Sequence, residues 1–530
     1  MPRLRSSAPQ PPPAAPAGRA AALRSALSAA GYTVDGVSDL LGDVASAALL
    51  REQTVPVRRA VAAHGHDARA TLTGLFLLGD TVSRGALDAA LPGIGTAGAS
   101  ALGLVDAAGA DDGDEVRAVV DLRPYAATDA GGPVEWWVAS DLGEVATGRR
   151  LANDHVLGAG GASTTLAQIT VRPQVGRVLD LGTGCGIQAL HAARHADAVV
   201  GTDVSRRALE FARFNAALNA PDADVDLRYG SLLEPVSDDR FDLVVSNPPF
   251  VITPRTGAPG AAVTEALGAF EYRDGGRAGD DLVRDLITGV GAVLAPGGVA
   301  QLLGNWEHRR GEAWTERVGA WLDASGLDGW VIERELLDPA EYAETWIRDG
   351  GTTAEREPEA WGSAYGAWLD DFASRDVEAI GFGIVTLRRP VTGSATLRRL
   401  EEHHGSLRQP LGTHLAASLA AHDWLAARTD GALAAERLVA AADVTEERYL
   451  TPGAADPNVV IVRQGDGLGR GIQASTGLAA FVGACDGELT AGQIVGALGA
   501  LLAVPAEDLA AELLPAVRGL VRDGFLAPAS

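Results

Sequence analysis

Between residues 177 and 387 seven short apolar runs alternate with stretches of helical period, and this alternation constrains the fold more than any other feature of the chain. The runs are RVLDL (177–181), AVVGTD (198–203), VDLRYG (225–230), FDLVVSN (241–247), VAQLLGN (299–305), WVIEREL (330–336) and AIGFGIVTL (379–387). Amphipathic helices such as SRRALEFARFNAALN (205–219) and DDLVRDLITGVGAVL (280–294) lie between them. Strands separated in this way predict a parallel α/β sheet, because a parallel neighbour is reached only through a crossover. An aromatic-rich helical insertion at 341–374 separates the last two strands. It is expected either to cover a pocket or to pack on the sheet.

The flanks read differently. Residues 1–18 carry prolines where a signal peptide needs an apolar run, and are expected to form a disordered tail. Residues 19–150 begin helical, with TLTGLFLLG (71–79), then RGALDAAL (84–91) behind Ser83 as N-cap, then a third short helix near Thr96 to Leu104. The strands VRAVVDLRPY (116–125) and VEWWVAS (134–140) follow, giving the outline of a winged helix; a helical packing module without a ligand fits equally well. Residues 391–457 read as a helical connector, and 458–530 as a second compact winged-helix-like module. There Thr490 and Gln493 form a capping box, and Pro505 opens a helix with Leu509, Leu513, Val517 and Leu520 at helical spacing, closed by Gly524.

Composition removes several chemistries. All 44 basic residues are arginine. Without lysine there is no phosphate-cradling Gly-Lys-Ser/Thr loop, no Schiff-base lysine and no Ser-x-x-Lys nucleophile. The 69 acidic residues leave a net charge of −25, so the chain as a whole has no electrostatic pull toward nucleic acid or an anionic membrane. Cys185 and Cys485 make no disulfide framework and suit a reducing cytoplasm. No apolar stretch approaches the roughly 20 residues that span a bilayer.

The densest chemistry lies in VLDLGTGCGIQAL (178–190), where Asp180 sits near a strand end and Gly182, Gly184 and Gly186 precede a helix. Such glycines let a ligand approach the backbone at the carboxyl edge of a sheet, and Asp203, ending the second strand, can hold ribose hydroxyls. This much is shared with dinucleotide sites. The fourth strand narrows the reading, because FDLVVSNPPF puts Asn247, Pro248, Pro249 and Phe250 at the same edge.

With both motifs in order, residues 151–390 resemble the class I S-adenosylmethionine-dependent methyltransferases, in the Asn-Pro-Pro-aromatic branch that methylates planar amino groups of bases or of glutamine. The resemblance implies a Rossmann-like seven-stranded sheet, here flanked by the two winged-helix-like domains. It implies S-adenosyl-L-methionine as cofactor, with Asp180, Gly182, Thr183, Gly184 and Gly186 at its methionine part and Asp203 with Val204 at its ribose. Ser231 stands where the family usually offers an acidic or amide side chain to the adenine, a departure that leaves the adenine contact open between Ser231 and Leu232. The Asn247 side-chain oxygen, also near the cofactor, and the Pro248 carbonyl would accept the hydrogens of the amine; Pro249 stiffens the loop and Phe250 stacks on the planar group. In GAGGASTTLAQ (158–168), Ser163 and Thr164 offer hydroxyls near cofactor and acceptor, or simply cap a helix. Tyr272, in YRDGGRAGDD (272–281), would close over the acceptor.

The implied function is N-methylation of a planar amine, leaning toward a base in RNA, with glutamine of a release-factor-like protein as the alternative. A cofactor-sensing nucleic-acid-binding regulator is a third reading, which the intact amine motif opposes. No metal is expected. His191 and His195 lack the Glu of a zinc-hydrolase motif and read as a solvated helix face, and Cys185 reads as packing.

Overall fold

A computed structural model describes residues 11–14, 16–148, 151–255, 263 and 275–529. The chain divides into two compact units, one running to residue 402 except for 128–130 and 168–172, the other made of those two short segments and 403–530.

The first unit is built on an eight-stranded sheet. Its strands are β1 (Val175–Leu181), β2 (Ala196–Asp203), β3 (Val225–Tyr229), β4 (Phe241–Ser246), β5 (Leu294–Arg309), β6 (Asp328–Leu337), β7 (Val377–Arg388) and β8 (Arg398–Glu402), in the spatial order 8-6-7-5-4-1-2-3. Only β7 runs antiparallel to its neighbours. All seven expected strands are therefore present. The eighth lies inside the expected connector 391–457, because RRLEE has no apolar run. It is an edge strand held by charge, where Glu401 accepts from the Trp330 indole (2.7 Å) and Glu402 from the Trp314 indole (3.0 Å).

The helices between strands are α1 (Ile187–Ala192), α2 (Arg206–Asn219), α3 (Asp281–Gly289), α4 (Trp314–Ser325), α5 (Pro339–Asp349) and α6 (Pro358–Ala373). Ser205 caps α2 by accepting from the Ala208 N–H, and α2 buries Phe211, Phe214 and Leu218. Leu282, Val283, Leu286 and Ile287 of α3 join Val244 and Leu302 in one core. The insertion helices α5 and α6 pack rather than cap a cavity. Tyr342, Ile347, Trp368 and Phe372 close on Val251 and Ile252, the two residues after the Asn-Pro-Pro-Phe motif.

Ahead of the sheet, the first helix begins at Ala17, inside the expected tail; residues 1–10 lie outside the described part. TLTGLFLLG forms the end of helix Ala68–Leu72 and a buried π turn, Thr73–Leu77. Ser83 caps Arg84–Ala90 as expected, accepting from Ala86 N. The expected strand 116–125 is two strands serving different sheets. Glu115–Ala118 pairs with Val82–Ser83 and Val105–Ala107, whereas Asp121–Asp129 forms a hairpin with Gly132–Ser140.

In the second unit the Thr490–Gln493 capping box is present, and Leu509, Leu513, Val517 and Leu520 are buried. The module extends further upstream than Asn458, because Leu425, Leu433 and Leu438 share the core of Leu513 and Phe525. Strand Arg437–Ala440 is central to its sheet, between Asp486–Thr490 and Leu526–Pro528.

Candidate functional site

The ends of β1, β2, β3 and β4 converge at one edge. Leu181 pairs with Ser246, so Gly182 and Asn247 leave the sheet side by side, and the Ser246 hydroxyl donates to Leu181 O (2.8 Å) to lock the two ends together. Gly182, Gly184 and Gly186 all have left-handed backbones, at φ +74°, +55° and +86°. Their surroundings differ. A Cβ on Gly182 or Gly184 would meet nothing within 4 Å, whereas one on Gly186 would lie 3.0 Å from Cα of Ala212 on α2. Gly186 thus serves helix packing, and the other two border open space.

Asp180 lies beneath this turn, buried. One carboxylate oxygen accepts from the Thr183 hydroxyl (2.6 Å) and from Ala189 N at the start of α1 (2.9 Å). Burial pushes its carboxyl up to about 7, with the nearby Asp203 charge adding to the effect and the two donors opposing it. Asp203 ends β2 with Oδ2 accepting from Gly184 N (2.9 Å) and Oδ1 from Ser205 N (2.8 Å), and burial raises its pKa also. Val204 beside it is exposed. Ser231 and Leu232 follow β3, whose end is tied to β2 by Gly230 N donating to Asp203 O (3.0 Å). Leu232 is held at φ +48°, a strained backbone for a branched residue, at the position expected to face an adenine.

The Oδ1 of Asn247 is buried and has no hydrogen-bond partner among the described residues. Such an atom costs free energy until something donates to it. Pro248 O accepts from Phe250 N (2.8 Å) and Pro249 O from Gly275 N (3.0 Å), so the loop is tied at both ends. Pro248 O keeps its second lone pair. The Phe250 ring meets Phe382 edge-on at 6.3 Å, and Phe382 stacks on Tyr342. The Tyr342 hydroxyl accepts from Ile252 N (2.8 Å) and from Asn305 Nδ2 (3.0 Å), while the Trp368 indole donates to Ile252 O (2.8 Å). The aromatic insertion therefore fixes the chain leaving the motif. Its Tyr and Trp content was the visible signal, but which residues they would grip was not.

The upstream loop differs from expectation. Its helix starts at Gly161, so Thr164 lies inside the first turn, where its hydroxyl donates back to Gly160 O (3.2 Å) and does not cap. The Ser163 carbonyl accepts from Gln188 Nε2 of α1 (2.7 Å). Tyr272 lies outside the described residues. His191 and His195 are not a solvated face. Both are buried, His191 with Nε2 3.0 Å from the Tyr125 hydroxyl and Trp136 packed edge-on, His195 with Nδ1 2.8 Å from Pro173 O. Helix α1 ends at Ala192, so His195 lies beyond it and shares no helix face with His191, which Tyr125 and Trp136 of the hairpin cover. Cys185 is buried, and burial pushes its thiol up to about 12, which leaves it packing and not attacking.

Residues 160–265 match the family described as methyltransferase small domain. Residues 29–119 and 416–528 match two families described only as domains of unknown function. Among curated proteins, the chain is 35% identical over 193 residues to the ribosomal protein uL3 glutamine methyltransferase of Bradyrhizobium diazoefficiens, covering 35% of this chain and 59% of that one. It is 40% identical over 132 residues to the release factor glutamine methyltransferase of Geobacter sulfurreducens, covering 24% and 44%. The chain thus spans about half the length of the curated relatives it matches. A solved methyltransferase from Pyrococcus furiosus overlaps 43% of this chain and 80% of its own at 16% identity, with a TM-score of 0.25, too low for the overlay to carry weight.

Proposed function

We propose that this chain, which carries a methyltransferase small domain at 160–265, is an S-adenosylmethionine-dependent N-methyltransferase of a planar amino group. The observation that carries the reading is the buried, unpartnered Oδ1 of Asn247 beside the glycine turn. The residues present fit the cofactor. Gly182 and Gly184 border open space, and both carboxylate oxygens of Asp203 keep lone pairs for ribose hydroxyls after accepting from Gly184 and Ser205. Asp180, Thr183 and Gly186 shape the turn from below, and Val204, Ser231 and Leu232 border the nucleoside end. When bound, S-adenosylmethionine supplies a methyl group already activated on a sulfonium.

The protein's share is alignment. A conjugated NH₂ is a weak nucleophile, so Asn247 Oδ1 and Pro248 O accept its two hydrogens, turning the nitrogen lone pair toward the methyl and raising its density. Phe250, braced by Phe382, stacks on the planar group, and Pro248 and Pro249 keep the loop from relaxing. Positioning of this kind supplies up to about 7–11 kcal/mol of barrier lowering.

Two acceptors share this geometry. Phe250 in place of Tyr, and flanking modules able to grip a large partner, favour an exocyclic base amine in RNA. The glutamine methyltransferases among the relatives, and a net charge of −25, favour a protein glutamine. Both acceptors are macromolecular and, with the free buried cysteines, fit a reducing cytoplasm. Among the described residues, no helix is long and apolar enough to cross a membrane. The test is transfer of labelled methyl from the cofactor into a lysate. Label removed by ribonuclease selects RNA and label removed by protease selects glutamine, whereas tight cofactor binding with no label would refute transfer in favour of a sensor. Asn247→Ala is expected to cut transfer by about a hundredfold or more while cofactor affinity stays within a few-fold.

A further inference from the structure

Helix α2 carries Asn215, fully buried, and Asn219, half-buried, four residues apart. Asparagine is a poor helix former, so two on the packed side of one helix need a reason. Each grips one residue of strand Gly132–Ser140 as a neighbouring strand would. Asn215 Oδ1 accepts from Ala139 N (2.8 Å) and its Nδ2 donates to Ala139 O (2.9 Å). Asn219 Oδ1 accepts from Trp137 N (3.0 Å) and its Nδ2 donates to Trp137 O (2.8 Å). The spacings match. Four helical residues rise about 6 Å, and two strand residues, whose N–H and C=O point to the same edge, advance about 6.7 Å. The two side-chain amides thus stand in for a missing strand along the free edge of the hairpin.

The second N–H of Asn215 goes elsewhere, to Cys185 O (2.8 Å), between Gly184 and Gly186. One turn earlier on the same helix, Ala212 is the residue that Gly186 must stay small to accommodate. The strand's next residue, Asp141, pairs with Arg207 of α2 and accepts from Val156 N (2.9 Å), on the approach to the 158–168 loop. Both N–H groups of the Asn215 amide and one lone pair of its oxygen are therefore engaged, two of these bonds with the hairpin and one with the glycine turn.

We propose that Asn215 is a positioning residue for the cofactor: one amide sets the Cys185 carbonyl of the glycine turn and ties it to the docked hairpin, so that cofactor affinity depends on the N-terminal region being in place. The inference rests on the cofactor reading above. Asn219 is the internal control, since it makes the same grip on the strand without touching the turn. S-adenosylhomocysteine is titrated by calorimetry into the full chain and its variants. Asn215→Ala is expected to bind about tenfold more weakly, the scale of one lost buried hydrogen bond, and Asn219→Ala within about threefold of the parent. Hydrogen exchange on the unmodified chain needs no variant. The ligand should slow exchange in 132–140 as well as in the glycine turn. Equal affinities for the two variants, or a hairpin whose exchange ignores the ligand, would overturn the inference. A parent chain that fails to bind would instead sink the cofactor reading, and this inference with it.

Discussion

Gly184 and Gly186 look interchangeable in the sequence, yet their alanine variants should fail in different ways. Both have left-handed backbones, φ +55° and +86°, and forcing an L side chain there costs about 1–2 kcal/mol. At Gly184 nothing more is added to the fold, because the new methyl meets nothing within 4 Å. At Gly186 the methyl lands 3.0 Å from both Cα and Cβ of Ala212, and one of these is backbone that cannot swing aside. Overpacking of this kind adds about 1–3 kcal/mol, giving about 2–5 kcal/mol in total for Gly186→Ala. Binding should run the other way. The space above Gly184 is where the proposed cofactor approaches, so Gly184→Ala should lose at least about tenfold in affinity, which is 1.4 kcal/mol. The assay pairs unfolding midpoints with calorimetric titration of S-adenosylhomocysteine at a temperature where both variants are folded. The expected stability order is parent, Gly184→Ala, Gly186→Ala, with Gly184→Ala the weaker binder. A Gly184→Ala chain that binds like the parent refutes the assignment of that open space. A Gly186→Ala chain as stable as Gly184→Ala refutes the close approach of α2.

Asp180 gives a pH signature. Its folded pKa of about 7 lies above the unfolded value of 3.8, so the folded state holds a proton that the unfolded state releases, and this contribution to stability is full below about pH 4 and lost as pH rises to about 7. At about 1.4 kcal/mol per pH unit the loss is bounded at about 4 kcal/mol, and Asp180→Asn should make the fall across that window shallower by up to that amount in unfolding titrations, with buried Asp121 and Asp203 still contributing; an unchanged profile would place the titration elsewhere. The thiols of Cys185 and Cys485, both pushed up to about 12 by burial, should be silent to a thiol reagent at pH 8 in the folded chain and react fully after unfolding. Rapid labelling of either in the folded chain would contradict their burial.

What could be read from the sequence is what depends on near neighbours. Most of the seven strands were legible as apolar runs that the sheet buries, whereas β3, at the sheet edge with no buried residue, showed only through its mixed VDLRY pattern. The motif Asn247 to Phe250 was legible because two prolines directly after a strand end mark a stiff turn in the sequence itself, although Gly275, Tyr342, Trp368 and Phe382, which brace it, were not legible as its partners. β8 was not, since RRLEE owes its place to indole–carboxylate bonds from Trp314 and Trp330, and pairs beside β6 some seventy residues back. The same distance hid His191, whose partner Tyr125 lies 66 residues upstream on a strand with no visible claim on a six-residue helix. Asn215 shows the principle most sharply. Its side chain spends three hydrogen bonds on two segments, 76 and 30 residues away, and nothing within its own helix betrays that use except that asparagine is a poor choice there. A polar residue that its local element disfavours is therefore worth pursuing through the fold, because only a distant partner can make the choice favourable.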